Sequence, residues 1–106
     1  MRILYLPDAE SQGEVRDVAS DLATMQALVS LGDAPAWVEA IRICPEQWMI
    51  LGNEEGMIHY PINRRFDLGD RMVTTYGPLV IAGHQGDEWT SLSDAALAAW
   101  QQRLHG

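Results

Sequence analysis

Apolar side chains along this chain change their repeat several times, and each change predicts an element. Arg2 to Leu6 is a short apolar run ended by Pro7-Asp8, the pattern of a buried or half-buried strand. Ala9 to Gly13 is small and polar and reads as a turn or loop. Val15, Val18, Leu22, Met25, Leu28 and Val29 then recur mostly at spacings of three and four, one face of an amphipathic helix. Ser20 or Asp21 is placed to cap its regular part, Asp17 and Asp21 suit the positive end of its dipole, and Gly32 stops it. In a domain this small such a stripe is a core face before it is a partner face.

Gly32-Asp33-Ala34-Pro35 is a break. Trp37, Glu39, Ile41 and Ile43 then alternate with Val38, Ala40 and Arg42, the period of a strand, which Cys44-Pro45-Glu46 closes. Trp48–Leu51 and Met57–Tyr60 are two further apolar runs around Gly52-Asn53-Glu54-Glu55-Gly56. Asn and Gly tolerate positive φ, so the segment predicts a hairpin with a five-residue loop. Gly56 would close that loop at positive φ, Glu54 and Glu55 would sit exposed on it, and Pro61 would end the second strand. Residues 63–70 read as a loop or one short helical turn, Met72–Tyr76 as a strand and Gly77-Pro78 as a turn or bulge. Leu79-Val80-Ile81-Ala82 is apolar throughout, which predicts a central strand, and Gly83 to Glu88 reads as a loop. Ser93 is an N-cap residue with Leu92 and Leu97 placed as a hydrophobic staple; Ala96, Leu97, Trp100 and Leu104 form the inner face of a last helix. The expected fold is α+β: a mostly antiparallel sheet of about five to six short strands with two amphipathic helices, most simply on one face.

At 106 residues, 47% hydrophobic and 21% charged, the chain has the size and composition of one globular domain. Cys44 is its one cysteine, so no internal disulfide forms and a reducing, cytoplasmic setting is the expectation. Ile3 to Leu6 is too short for a signal peptide, and no apolar run approaches the roughly 20 residues that span a bilayer. The net charge is −8, and all seven basic residues are Arg. Residues 1–61 carry ten acidic and three basic side chains; residues 62–106 carry five and four. A chain without a basic stripe does not track phosphates, so direct nucleic-acid binding is not expected. An acidic surface serves solubility, and it also attracts a basic partner.

No catalytic constellation stands out. Glu54 and Glu55 are adjacent, and adjacent side chains on a strand or open turn point apart rather than forming a carboxylate dyad. His59, His84 and His105 match no zinc spacing, and Cys44 has no His near it in sequence. Gly83-His84-Gln85-Gly86 lacks the Lys-Ser/Thr ending of a phosphate loop, and no cofactor motif is present. Asn63-Arg64-Arg65 is the least ordinary segment. Two adjacent Arg beside Tyr60 and Pro61 either clamp a phosphate or carboxylate, with a nucleotide stacked on a nearby aromatic, or form surface ion pairs with Glu54, Glu55 or Asp67. Trp89, in a polar stretch, is either an exposed binding anchor or packs under the last helix.

Several of these residues together carry a family resemblance. Leu28-Val29 after Gln26, a Glu-bearing strand, Asn53-Glu54-Glu55-Gly56, Pro61 with Asn63, Gly77, Val80-Ile81-Ala82-Gly83 and Ser91-Leu92-Ser93-Asp94 follow in order over nearly the whole chain. They resemble the small protein family known as domain of unknown function 3846. The Asn-Glu-Glu-Gly turn followed by Pro-x-Asn is the specific part. One departure is Ser30-Leu31-Gly32-Asp33, where the family has paired glycines. Members look like products of phages, plasmids and their hosts, so the resemblance implies an accessory protein that binds a host protein, such as an anti-defence or anti-CRISPR inhibitor. A nucleotide-sequestering protein is the alternative, and a homodimer is compatible with either.

Overall fold

The computed structural model of the protein describes residues 1–32 and 37–105. In chain order its elements are β1 Arg2–Leu6, β2 Glu14–Asp17, α1 Leu22–Leu28, β3 Val38–Cys44, β4 Trp48–Asn53, α2 Gly56–His59, β5 Ile62–Asp67, β6 Met72–Tyr76, β7 Leu79–Gln85, β8 Glu88–Thr90 and α3 Asp94–His105. The main sheet runs β2-β1-β7-β4-β3 with β8 folded back on the end of β7, and every pairing in it is antiparallel. β5 and β6 form a separate two-stranded ribbon. This is the expected α+β architecture with β7 in its centre. Six strands lie in the main sheet and two in the ribbon.

The apolar run of β7 has a physical reason. Successive side chains of a strand point to opposite faces, and here both faces are covered. Leu4, Leu6, Ile50, Leu79 and Ile81 gather on one side with Phe66 of the ribbon, Trp100 of α3 and Leu92 just before it. Ile3, Met49, Leu51, Val80 and Ala82 gather on the other with Met25 and Val29 at α1. Register enforces the division, since Ile81 stands opposite both Leu4 and Ile50. The helices therefore lie on opposite faces, not on one. A second face of apolar side chains on β1, β4 and β7 would otherwise be left in water, at about 25 cal/mol per Å².

The first helix is shorter than its periodicity implied. Glu14–Asp17 is a strand paired with β1, all four of its residues are exposed, and only Leu22–Leu28 is helical. Asp21 sets the boundary. Its backbone is extended and its carboxylate accepts the Thr24 N–H at 2.7 Å, so the helix begins after it. The open edge of β1 then takes Val15 and Arg16 into a ladder instead. Of the break expected at Gly32-Asp33-Ala34-Pro35, Gly32 is a turn residue at φ 64°, and the rest lies outside the described residues.

The hairpin of Trp48–Leu51 with Met57–Tyr60 does not form. Both edges of β4 are occupied, by β3 and β7, so no edge is left for a Met57–Tyr60 strand. Asn53 Oδ1 accepts the Glu55 N–H at 2.9 Å, and the chain turns into the single helical turn α2. Tyr60 returns to extended backbone, as a residue before proline prefers. Residues 63–70 are likewise not loop throughout. Pro61 precedes β5, which pairs with β6 from Ile62↔Tyr76 to Asp67↔Met72. The stretch from Gly83 to Glu88 is a continuation of β7 and a turn at Gly86 (φ 58°) into β8. At the other end Ser93 caps α3 through the Ala96 N–H at 3.1 Å, and the inner face of α3 is the expected one.

Gly56 is required for a different reason from positive φ, which it does not have. A Cβ there would lie 2.9 Å from the Tyr76 carbonyl oxygen, a backbone atom of β6. Gly56→Ala should therefore destabilise the protein by about 1–3 kcal/mol in urea denaturation. Gly69→Ala meets no atom within 4 Å and carries only the strain of φ 89°, so it should cost about 1 kcal/mol.

Two named carboxyls should contribute to the loss of stability in acid. The hydrogen bond from Thr24 holds the Asp21 carboxyl below its ordinary range, and the hydrogen bond from Arg42 does the same for Asp70. Groups with lowered folded pKa stabilise above their unfolded value of about 4, and that contribution is lost as pH falls through the folded value. Thermal melts from pH 7 to pH 3 should show Asp70→Asn losing less stability on acidification than the parent chain.

Candidate functional site

Asn63, Arg64 and Arg65 are brought together by β5, but not as an anion clamp. Asn63 is 4% exposed and sits where the β5–β6 register shifts between Ile62 and Arg64. Its amide donates to the carbonyls of Leu6 at 3.0 Å and Gly77 at 2.8 Å, and its Oδ1 accepts from Arg64 Nε at 2.7 Å. Arg64 Nη2 donates to the carbonyls of Asp8 at 2.8 Å and Ser11 at 2.7 Å. Burial lowers the pKa of this guanidinium, and Asp8 acts in the opposite sense. Arg64 thus braces the loop after β1. Arg65 is the next residue of a strand, so it points to the other side, where it is exposed without a hydrogen bond or ion pair among the described residues. The ion pairs expected with Glu54, Glu55 or Asp67 do not form.

Glu54 is exposed, and its backbone N–H donates to the Trp37 carbonyl at 2.7 Å. Glu55 begins α2, with its carboxylate 3.2 Å from His59 Nε2 one turn on. The two carboxylates are no dyad. What surrounds them was not foreseen. On α2, Met57 is 72% exposed and Ile58 75%; Trp37, beside the same turn, is 62% exposed. Leu31, also exposed, is tied to this region by the Tyr60 hydroxyl, which accepts its N–H at 2.9 Å. Leu31, Trp37, Met57 and Ile58 are thus exposed on segments that meet around α2, with Glu54 and Glu55 on the turn that leads into it. Successive residues of a strand point to opposite faces; on this lone helical turn Met57 and Ile58 both face solvent.

Trp89 is half-buried and is not the exposed anchor. It packs with the α1 face of the sheet rather than under the last helix, and its carbonyl accepts the Ser20 hydroxyl at 3.2 Å.

A cleft of about 470 Å³ opens between α3 and the turn from β3 to β4, lined by Glu46, Trp48, His84, Thr90, Trp100 and Arg103 among others. Trp100 stands edge-on to Trp48 at 4.9 Å and to Phe66 at 5.5 Å between ring centres. The Arg103 guanidinium lies 5.1 Å over the Trp100 ring and donates to the Asp67 carbonyl at 3.1 Å. His84 is held between the Cys44 carbonyl, 3.1 Å from Nε2, and the Gly86 carbonyl, 3.3 Å from Nδ1. The spacing of these residues in sequence carried no sign of the cleft, because β3–β4, β7 and α3 meet only in the fold. The one local sign was Pro45-Glu46, a turn with no glycine after its proline. Among the described residues, no group of three or more His, Cys, Asp or Glu is placed to hold a metal ion, and no helix is long and apolar enough to cross a membrane.

The fold defines a small α+β protein with a two-faced sheet, exposed apolar side chains around α2 and a shallow cleft. The family model for the domain of unknown function 3846 matches residues 1–105, and the chain belongs to that family. No curated protein and no solved structure matches the chain.

Because Asn63 joins three segments, Asn63→Ala should cost about 2–4 kcal/mol by chemical denaturation, leaving buried carbonyls of Leu6 and Gly77 unpaired. Arg65→Gln should stay within about 0.5 kcal/mol of the parent.

Proposed function

We propose that the protein is a small acidic accessory protein, of phage or mobile-element type, that acts by binding a host protein. The observation that carries this reading is the pair Met57 and Ile58, each more than two-thirds exposed on one helical turn, with Trp37 alongside. Exposed aromatic and Met side chains grouped together are what protein interfaces use as anchors. Burying Ile58 alone would contribute about 1.5–3 kcal/mol to association. Glu54 and Glu55 are on the turn that leads into α2, and the whole chain carries −8. That charge favours a partner with a basic rim and disfavours a second copy of the same acidic chain. An inhibitor of a host machine with a nucleic-acid-binding surface, an anti-CRISPR protein for instance, fits this chemistry, because such machines present basic surfaces.

The test is a pull-down from host lysate with the tagged protein and an Ile58→Asp variant, at low and high salt. The parent should retain a protein that the variant loses by about tenfold or more, with weaker capture at high salt and unchanged melting temperature. Equal capture by parent and variant, or none by either, would overturn this reading.

A further inference from the structure

The cleft beside α3 holds a residue that local energetics disfavours. Cys44, Pro45, Glu46 and Gln47 form a turn closed by the Gln47 N–H to the Cys44 carbonyl at 3.1 Å. Pro45 takes its second position and Glu46 its third, at φ 60°. Among the described residues Glu46 is the one non-glycine with positive φ. With proline before it, this is the arrangement of a type II turn, whose third position favours glycine. A side chain kept in the left-handed region against that preference is a sign of function when it borders a concavity.

The surroundings of Glu46 say what it would meet. Its carboxylate has no hydrogen bond and no ion pair among the described residues, although it lines the cleft. Across the cleft, on α3, Arg103 carries the opposite charge. It too has no carboxylate partner, being held only over the Trp100 ring and by the Asp67 carbonyl. The two charges share one cleft but do not pair within 4.0 Å. Trp48, Trp100 and the small side chains of Ala96 and Ala99 line the same cleft as its apolar part, while Thr90 adds a hydroxyl. The buried indole N–H of Trp100 has no hydrogen-bond partner. A cleft of about 470 Å³ is in the size range of small-ligand sites.

We propose that this cleft binds a small zwitterion of the α-amino acid class, its ammonium at Glu46, its carboxylate at Arg103 and its apolar side chain against Trp48. A ligand with one charge alone would leave either Glu46 or Arg103 facing a neutral group. A zwitterion meets both, and neither protein charge has to be neutralised. The site is separate from the patch on α2, so it stands or falls apart from the partner-binding reading.

Free L-amino acids are the probes, titrated against the whole protein with tryptophan fluorescence and calorimetry as readouts. L-Leucine and L-phenylalanine should quench and saturate in the millimolar range or tighter, about 1 mM. N-acetyl-L-phenylalanine, which lacks the ammonium, and L-phenylalaninamide, which lacks the carboxylate, should each bind about tenfold more weakly. Arg103→Gln should weaken the parent amino acids and no longer distinguish them from their amides. Glu46→Gly is the decisive variant: it should raise the melting temperature by about 2–4 °C through relief of positive φ, and abolish binding. No saturation by any of the protein amino acids up to about 10 mM would overturn the proposal. So would full binding by Glu46→Gly or indifference to the blocked derivatives.

Discussion

The placement of every outer element follows from one constraint, that β1, β4 and β7 bury both of their faces. Antiparallel sheets commonly leave one face to water. Here the alternation Leu79-Val80-Ile81-Ala82 is apolar on both sides, and so are Ile3-Leu4 in β1 and Met49-Ile50-Leu51 in β4, which flank it. Each face needs a cover. α1 supplies one through Met25 and Val29, while α3 and the β5–β6 ribbon supply the other through Trp100 and Phe66. The edge strands β2 and β3 and the short α2 are then on the outside, where Val15, Ile43, Met57 and Ile58 are exposed.

The ribbon does not reach the sheet by hydrophobic contact alone. Asn63 and Arg64 donate to backbone carbonyls of Leu6, Asp8 and Ser11, at the end of β1 and in the loop after it, which have no ladder with β5, and to that of Gly77 just past β6. Backbone groups left unpaired in a buried place are expensive, so a polar side chain with two donors is the economical way to end β1 there. The bulge at Asn63 is what turns it inward, with Thr75 bonding Arg64 across it at 2.8 Å. The motif that looked like an anion clamp is a structural knot, and only Arg65 of the three remains free at the surface.

Much of the fold was legible in the chain itself. β1, β3, β6, the central β7, the Ser93 cap and the inner face of α3 follow from periodicity and capping chemistry, which are local. The misreadings share a cause: competition for strand edges, which is not local. Val15 has helical spacing from Val18 and Leu22, yet the open edge of β1 takes it as strand. Met57–Tyr60 has the composition of a strand, yet β4 has no edge left to offer it. Ile62–Asp67 follows a proline and carries two Arg, yet β6 and the Asn63 bonds make it a strand. The candidate sites were less legible for the same reason. The apolar patch depends on Met57 and Ile58 being helical, and the cleft depends on three distant segments converging around Glu46 and Arg103.

The structural claim that supports both surfaces is that the polar knot makes the ribbon one cooperative unit with the sheet. Native-state hydrogen exchange tests it most directly. The account predicts that the ladder amides of β5 and β6, at Phe66 and Val73, exchange through the same global opening as Leu4, Ile50 and Ile81. α2 and the turn at Glu46 should open earlier. Exchange of the β5–β6 amides through a separate opening, well below the free energy of global unfolding, would contradict it.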